Sequence, residues 1–153
     1  MNSMYKDKDV YWFIKENNEL DGIMREPTSE EMAEFTRFMG LKTITLDNMI
    51  RLVKTFSPKA QLRDDYSFDI EDGPWGGPHI KTSLQKILSS SITSPWRLYI
   101  EYEKLKPFTQ GNGVSGRALW AWKAQDISEG FLVKFYTQTL NAFRNNFRTE
   151  ESV

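Results

Sequence analysis

Lys106-Pro107-Phe108-Thr109-Gln110-Gly111-Asn112-Gly113-Val114-Ser115-Gly116-Arg117 is the stretch from which the rest of the chain can be read. The residues before it, Trp96 to Leu105, carry Trp96, Tyr99, Ile100 and Tyr102 and read as a helix. Arg117-Ala118-Leu119-Trp120-Ala121-Trp122-Lys123 reads as the next helix, with its regular part from Ala118 to Ala124. Between them, a Gly111-Asn112-Gly113 turn can expose successive backbone N–H groups as an anion-binding nest. The helix N-terminus beyond it adds partial positive charge. Lys106 and Arg117 bracket the turn with full charges. Taken alone, the glycines are equally those of a tight interhelical turn. Gly111-x-Gly113-x-x-Gly116 also fits the dinucleotide fingerprint. It lies too late in a 153-residue chain to be followed by a doubly wound sheet, and no strand precedes it.

Working outward, most of the chain has helical spacing. Val10 to Glu19 places Val10, Phe13, Ile14 and Asn17 on one face and is broken by Asp21-Gly22. Thr28-Ser29-Glu30-Glu31 is a cap signal leading into Met32, Phe35, Phe38 and Met39, and Gly40 ends that helix. Thr45-Leu46-Asp47 opens the next, whose stripe is Leu46, Met49, Ile50, Val53 and Phe56, and Ser57-Pro58 closes it. From Gln61 to Pro78 the pattern turns to partial alternation, which predicts short strands or a hairpin, with Gly73-Pro74-Trp75-Gly76-Gly77-Pro78 as a loop. Helix resumes near Ile80. A last helix is predicted over Gly130 to Phe147, and residues 1–9 and 149–153 read as frayed ends. The expectation is a single, mainly α-helical domain.

Composition narrows the function classes. Twenty Lys and Arg nearly balance 21 Asp and Glu, for a net charge of -1, so no global field favours nucleic acid or an anionic membrane. The chain has no cysteine and one histidine, which excludes disulfides, thiolate metal sites and multi-histidine metal sites. No membrane-length apolar run and no secretory leader are evident, so a cytoplasmic protein is expected.

The arrangement of helix, Lys-Pro-Phe, Gly-Asn-Gly and a second helix opening on Arg117 resembles the Fic/Doc (Fido) family. The family motif is His-Pro-Phe-x-(Asp or Glu)-Gly-Asn-Gly-Arg-x-x-Arg. Pro107, Phe108, Gly111, Asn112, Gly113 and Arg117 match it in register. Asn18-Glu19-Leu20-Asp21-Gly22-Ile23 is similar to the family's Asn-x-Ile-Glu-Gly-Ile segment. Gln61-Leu62-Arg63 and the Gly/Pro-rich loop look like its flap, a hairpin over the active site. The resemblance therefore implies a Fic-like helical bundle with a short β-hairpin flap. It also implies a protein that transfers AMP from ATP to a target-protein hydroxyl, with the His as general base and Mg²⁺ held by the acidic residue. The Gly-Asn-Gly turn and the arginines hold the phosphates, and the flap adds the target as a strand. Leu62, Arg63, Trp75 and His79 fall on the flap and target side. A bacterial or phage, toxin-like origin and an antitoxin-like regulator also follow from the resemblance alone.

Three departures fall on the chemical positions. Lys106 stands where the motif has His, Gln110 where it has an acid, and Val114 where it has the first Arg. An unperturbed lysine, with pKa about 10.4, is an ammonium at neutral pH and a poor base. Lys106 is read as a water-facing replacement or a phosphate contact before it is read as a base. Gln110 removes the anion that would attract Mg²⁺. Arg117 is a phosphate clamp or an ion-paired helix residue. His79 is an exposed loop residue or a substitute base, and Trp75 a partner anchor or a packing residue. Pro107 and Phe108 are structural. The Ser/Thr-x-x-x-Glu-Gly/Asn pattern of the family's restraining helix is not found, and Thr28-Ser29-Glu30-Glu31 reads as a cap instead. The leading expectation is a degenerate Fic-like protein that keeps a phosphate and nucleotide cradle for ATP. An active divergent nucleotidyl- or phosphotransferase and a protein-interaction module without nucleotide are the alternatives.

Overall fold

The computed structural model describes residues 5–68 and 73–127, and the helix expected over 130–147 lies outside them. Among the described residues six helices follow in chain order: α1 (Asp7–Leu20), α2 (Ser29–Met39), α3 (Leu46–Phe56), α4 (Pro78–Ser89), α5 (Pro95–Leu105) and α6 (Asn112–Ala124). Among the described residues there is no sheet, and the one β-type pairing is an isolated antiparallel bridge between Leu62 and Phe108. The chain is mainly helical.

Local chemistry explains most of the boundaries. α1 starts at Asp7, so residues 7–9 are helical and not frayed; Asp7 and Asp9 lie in its first turn and complement the positive end of the helix. α2 is opened by a capping box. Thr28 Oγ1 accepts from the Glu31 N–H at 3.0 Å, and Glu31 Oε1 accepts from the Thr28 N–H at 2.8 Å. Arg25 forks onto the same carboxylate at 2.8 and 2.9 Å. Burial opposes ionisation of Glu31, but the Arg25 fork and the Thr28 N–H outweigh it and hold the carboxyl below its ordinary value. Thr45 and Asn48 form the equivalent box at α3. Pro78 opens α4, and Ser94 caps α5 ahead of Pro95.

The apolar core draws on every helix, with Phe13, Phe35, Leu52, Leu84, Tyr102 and Leu119 each at most 2% exposed. Phe13 stacks on Phe35 at 4.6 Å between ring centres and joins α1 to α2. α5 and α6 form the closest helix pair. Gly116 permits this, because a Cβ there would stand 3.1 Å from the Tyr102 ring and 3.3 Å from the Tyr99 ring. Beside it the Tyr102 hydroxyl and Ser115 Oγ share a buried hydrogen bond of 2.7 Å, and Ser115 Oγ also donates to the Gly111 carbonyl.

Among the described residues the segment 61–78, expected to form a hairpin, forms no strand ladder, and a single backbone bond joins its two arms. The segment pairs with the motif loop instead: the Arg63 N–H donates to the Pro107 carbonyl at 2.8 Å and the Thr109 N–H to the Gln61 carbonyl at 2.9 Å. The Gly77 N–H then donates to the Arg63 carbonyl at 2.9 Å. An Asx turn, with Asp65 Oδ1 accepting from the Ser67 N–H, competes with strand extension directly after this point.

Candidate functional site

The loop between α5 and α6 is shaped by two left-handed residues. Lys106 closes α5 at φ 45°, which is uncommon for a residue with a side chain, and Gly111 precedes α6 at φ 81°. α6 starts at Asn112, six residues before Ala118, where its regular part was expected. Gly-Asn-Gly is therefore not a turn. Only Gly111 is left-handed, and Asn112 and Gly113 are the first residues of the helix. The apolar stripe from Ala118 hid this, because Gly113, Ser115 and Gly116 contribute little helix propensity. Asn112 locks the loop from inside the first turn. Its Oδ1 accepts from the Phe108 N–H at 2.9 Å and its Nδ2 donates to the Phe108 carbonyl at 2.8 Å. Pro107 and Phe108 are buried beneath it.

The first N–H groups of α6 have no partner within the helix, which makes its start electropositive. Arg117, 6% exposed, lies one turn further along. Its Nε donates to Asn17 Oδ1 at 2.6 Å and its Nη2 to Asp21 Oδ1 at 2.5 Å. Asn17 also donates to the Val114 carbonyl at 3.0 Å. The Asp21 carboxylate lies against the bare Cα of Gly113: a Cβ built there would stand 2.8 and 2.9 Å from its two oxygens. Arg117 thus already holds an anion beside the start of α6, supplied by the end of α1.

Asn17 and Asp21 are the partners of Arg117 that the sequence pattern did not single out. One local signal marks Asp21: a carboxylate at a helix C-terminus is electrostatically misplaced, and α1 has no basic residue in its last turn.

Lys106 is drawn away from this anion. Its Nζ donates to Glu103 Oε1 at 2.7 Å, one turn back on α5. Tyr99 hydrogen-bonds with Arg117 beneath the cluster. Burial, and then the Glu103 carboxylate, push its phenol up to about 12, with Arg117 acting in the opposite direction. The fold therefore favours the neutral phenol, and that contribution is complete below pH 10 and lost as pH rises to about 12. Melting temperatures measured across this window should fall, and Tyr99→Phe should show a shallower fall than the parent chain.

The remaining expected residues are dispersed. Gln110 is exposed and neutral. No group of three or more His, Cys, Asp or Glu comes together among the described residues. Arg63 is not a surface flap residue. It is fully buried, with Nε donating to the Lys106 carbonyl at 2.7 Å and Nη2 to the Leu105 carbonyl at 2.9 Å. Its Nη1 donates to the Pro74 and Phe68 carbonyls at 2.7 and 3.2 Å. Leu62 is half-buried at the bridge to Phe108. Trp75 is 70% exposed, with Tyr66 at 73% on the same loop. His79 is exposed in the first turn of α4, and its ring makes no hydrogen bond among the described residues.

None of the described helices is long and apolar enough to cross a membrane. No family model, curated protein or solved structure matches the chain.

Proposed function

We propose that this chain is a Fic-like protein whose motif cradle binds the phosphates of a nucleotide, ATP being the expected ligand, without histidine-based transfer. The observation that carries the reading is the Asp21 carboxylate held between Arg117 and the bare Cα of Gly113 at the start of α6. A helix N-terminus with a buried guanidinium is the chemistry that phosphate oxygens need, and here it accepts a carboxylate from the same chain. The ligand competes with Asp21, so the resting protein is restrained from within, and an antitoxin-like regulator is not required for restraint. The pairing of Lys106 with Glu103 argues against base catalysis and therefore against an active transferase.

A protein-interaction role has separate support. Leu62 uses neither its own N–H nor its carbonyl in the pairing with residues 107–109, and Trp75 and Tyr66 stand exposed on the adjoining loop. An extended target segment could add along this edge.

Calorimetric titration with ATP, with and without Mg²⁺, tests the nucleotide reading. The unmodified chain is expected to bind weakly, with little dependence on Mg²⁺. Gly113→Ala should abolish binding, since the added methyl fills the space the anion occupies. Absence of binding at millimolar ATP, in both the parent chain and Asp21→Ala, would sink the nucleotide reading and leave the interaction module.

A further inference from the structure

A second concavity lies at the other end of α6, and it goes beyond the nucleotide reading, sharing no residue with the motif. Residues 112 and 123 are about 16 Å apart along the axis at 1.5 Å per residue. The cavity has a volume of about 640 Å³, within the range of small-molecule sites. Its walls are the α2–α3 connection with the start of α3, the last turns of α4, and the end of α6, with Leu98 of α5 also lining it. Ile44 and Leu98, 5% and 4% exposed, give it an apolar base, and Leu88 and Trp122 extend that surface.

The rim has one sign of charge. Trp122 Nε1 donates to the Leu41 carbonyl at 2.7 Å and fastens the end of α6 to the α2–α3 connection. Lys42 and Lys123 each directly follow a residue of that pair in sequence. Both line the cavity, no Asp or Glu does, and neither lysine has a carboxylate partner among the described residues. On the α4 side, Ser89 and Ser90 donate their hydroxyl protons to the Gln85 and Ile87 carbonyls, and Gln85 is neutral. The lysines are therefore the lining residues with charge to offer an anion. In a chain of net charge -1, an apolar cavity with two lysines and no acid is a selective arrangement.

We propose that this cavity binds a small amphipathic anion, a medium-chain aliphatic carboxylate. Its chain lies on Ile44, Leu88, Leu98 and Trp122, and its carboxylate meets Lys42 and Lys123. Lys123 Nζ stands 5.8 Å from the centre of the Trp122 ring. A carboxylate that draws this ammonium away changes the indole's surroundings, so the ligand reports its own arrival.

The test is a titration of the full chain with hexanoate, octanoate and decanoate below their micellar range, read by calorimetry and tryptophan fluorescence. Saturable binding is expected, with affinity rising up to about fourfold per added CH₂. Octanoate should bind about tenfold more tightly than octan-1-ol. The double variant Lys42→Ala/Lys123→Ala should erase that difference while leaving octanol binding in place. Its lysines are on the rim, and circular dichroism checks that it folds. Absence of saturable decanoate binding, or equal octanoate affinity in the parent chain and the double variant, would overturn the proposal. Neither result bears on ATP binding at the motif.

Discussion

Arg63→Ala is expected to lower the unfolding free energy by about 4 kcal/mol, the largest loss of any single substitution considered. Four carbonyls, those of Leu105, Lys106, Phe68 and Pro74, accept from this one guanidinium. Two belong to the end of α5, where helical carbonyls have run out of N–H partners, and two belong to the loop carrying Trp75. The bond to Leu105 is buried and the other three are partly buried; an orphaned buried acceptor costs about 1–3 kcal/mol, and solvent reduces the cost at the other three. A typical domain has about 5–15 kcal/mol in total, so the variant should sit near the edge of folding. Arg63→Lys should recover little, because a single ammonium cannot span four acceptors that a planar fork reaches at once. Urea unfolding of the parent and both variants measures this directly. A loss below about 1 kcal/mol would mean that solvent takes over the carbonyls without penalty.

Asp21→Ala is expected to raise ATP affinity by about 10- to 100-fold while making the unliganded protein less stable. A hydrogen bond to a charged group is worth about 1.5–3 kcal/mol, which converts to that range when a competitor is removed. The stability change has the opposite sign because Arg117 is left partly buried without its carboxylate. Asn17 and Tyr99 still hold the guanidinium, so the loss should stay below the about 3–5 kcal/mol seen when a fully buried pair is broken. ATP should then raise the melting temperature of the variant more than that of the parent. Asp21→Asn keeps the shape and removes the charge, so it should fall between the two. Unchanged ATP affinity in Asp21→Ala would remove the carboxylate from the account of the site.

The helices were legible where their signals were local. Thr28-Ser29-Glu30-Glu31 and Thr45-Leu46-Asp47 are short-range patterns, and each marks a helix start in the structure. The motif loop was legible in outline, with Pro107 and Phe108 buried as expected. The start of α6 was not, since Gly111 and Gly113 look alike in sequence while only the first has positive φ. Arg63 was misplaced because its partners lie 5 to 43 positions away and are backbone atoms, which leave no trace in side-chain patterning. Asp21 was passed over because an acid beside a glycine at a helix end reads as a terminator. Its second role depends on α6, 96 positions later.

That separation orders events during synthesis. α1 and α6, the first and last described helices, must meet before Arg117 can engage Asn17 and Asp21. Closing so long a loop carries a large entropic penalty, and local pairs such as α5 with α6 form ahead of it. A nascent chain that has not yet released residue 117 therefore carries an unlatched N-terminal helix. The start of α6 and Arg117 therefore take shape with the α5–α6 pair, and the Asp21 carboxylate reaches them afterwards.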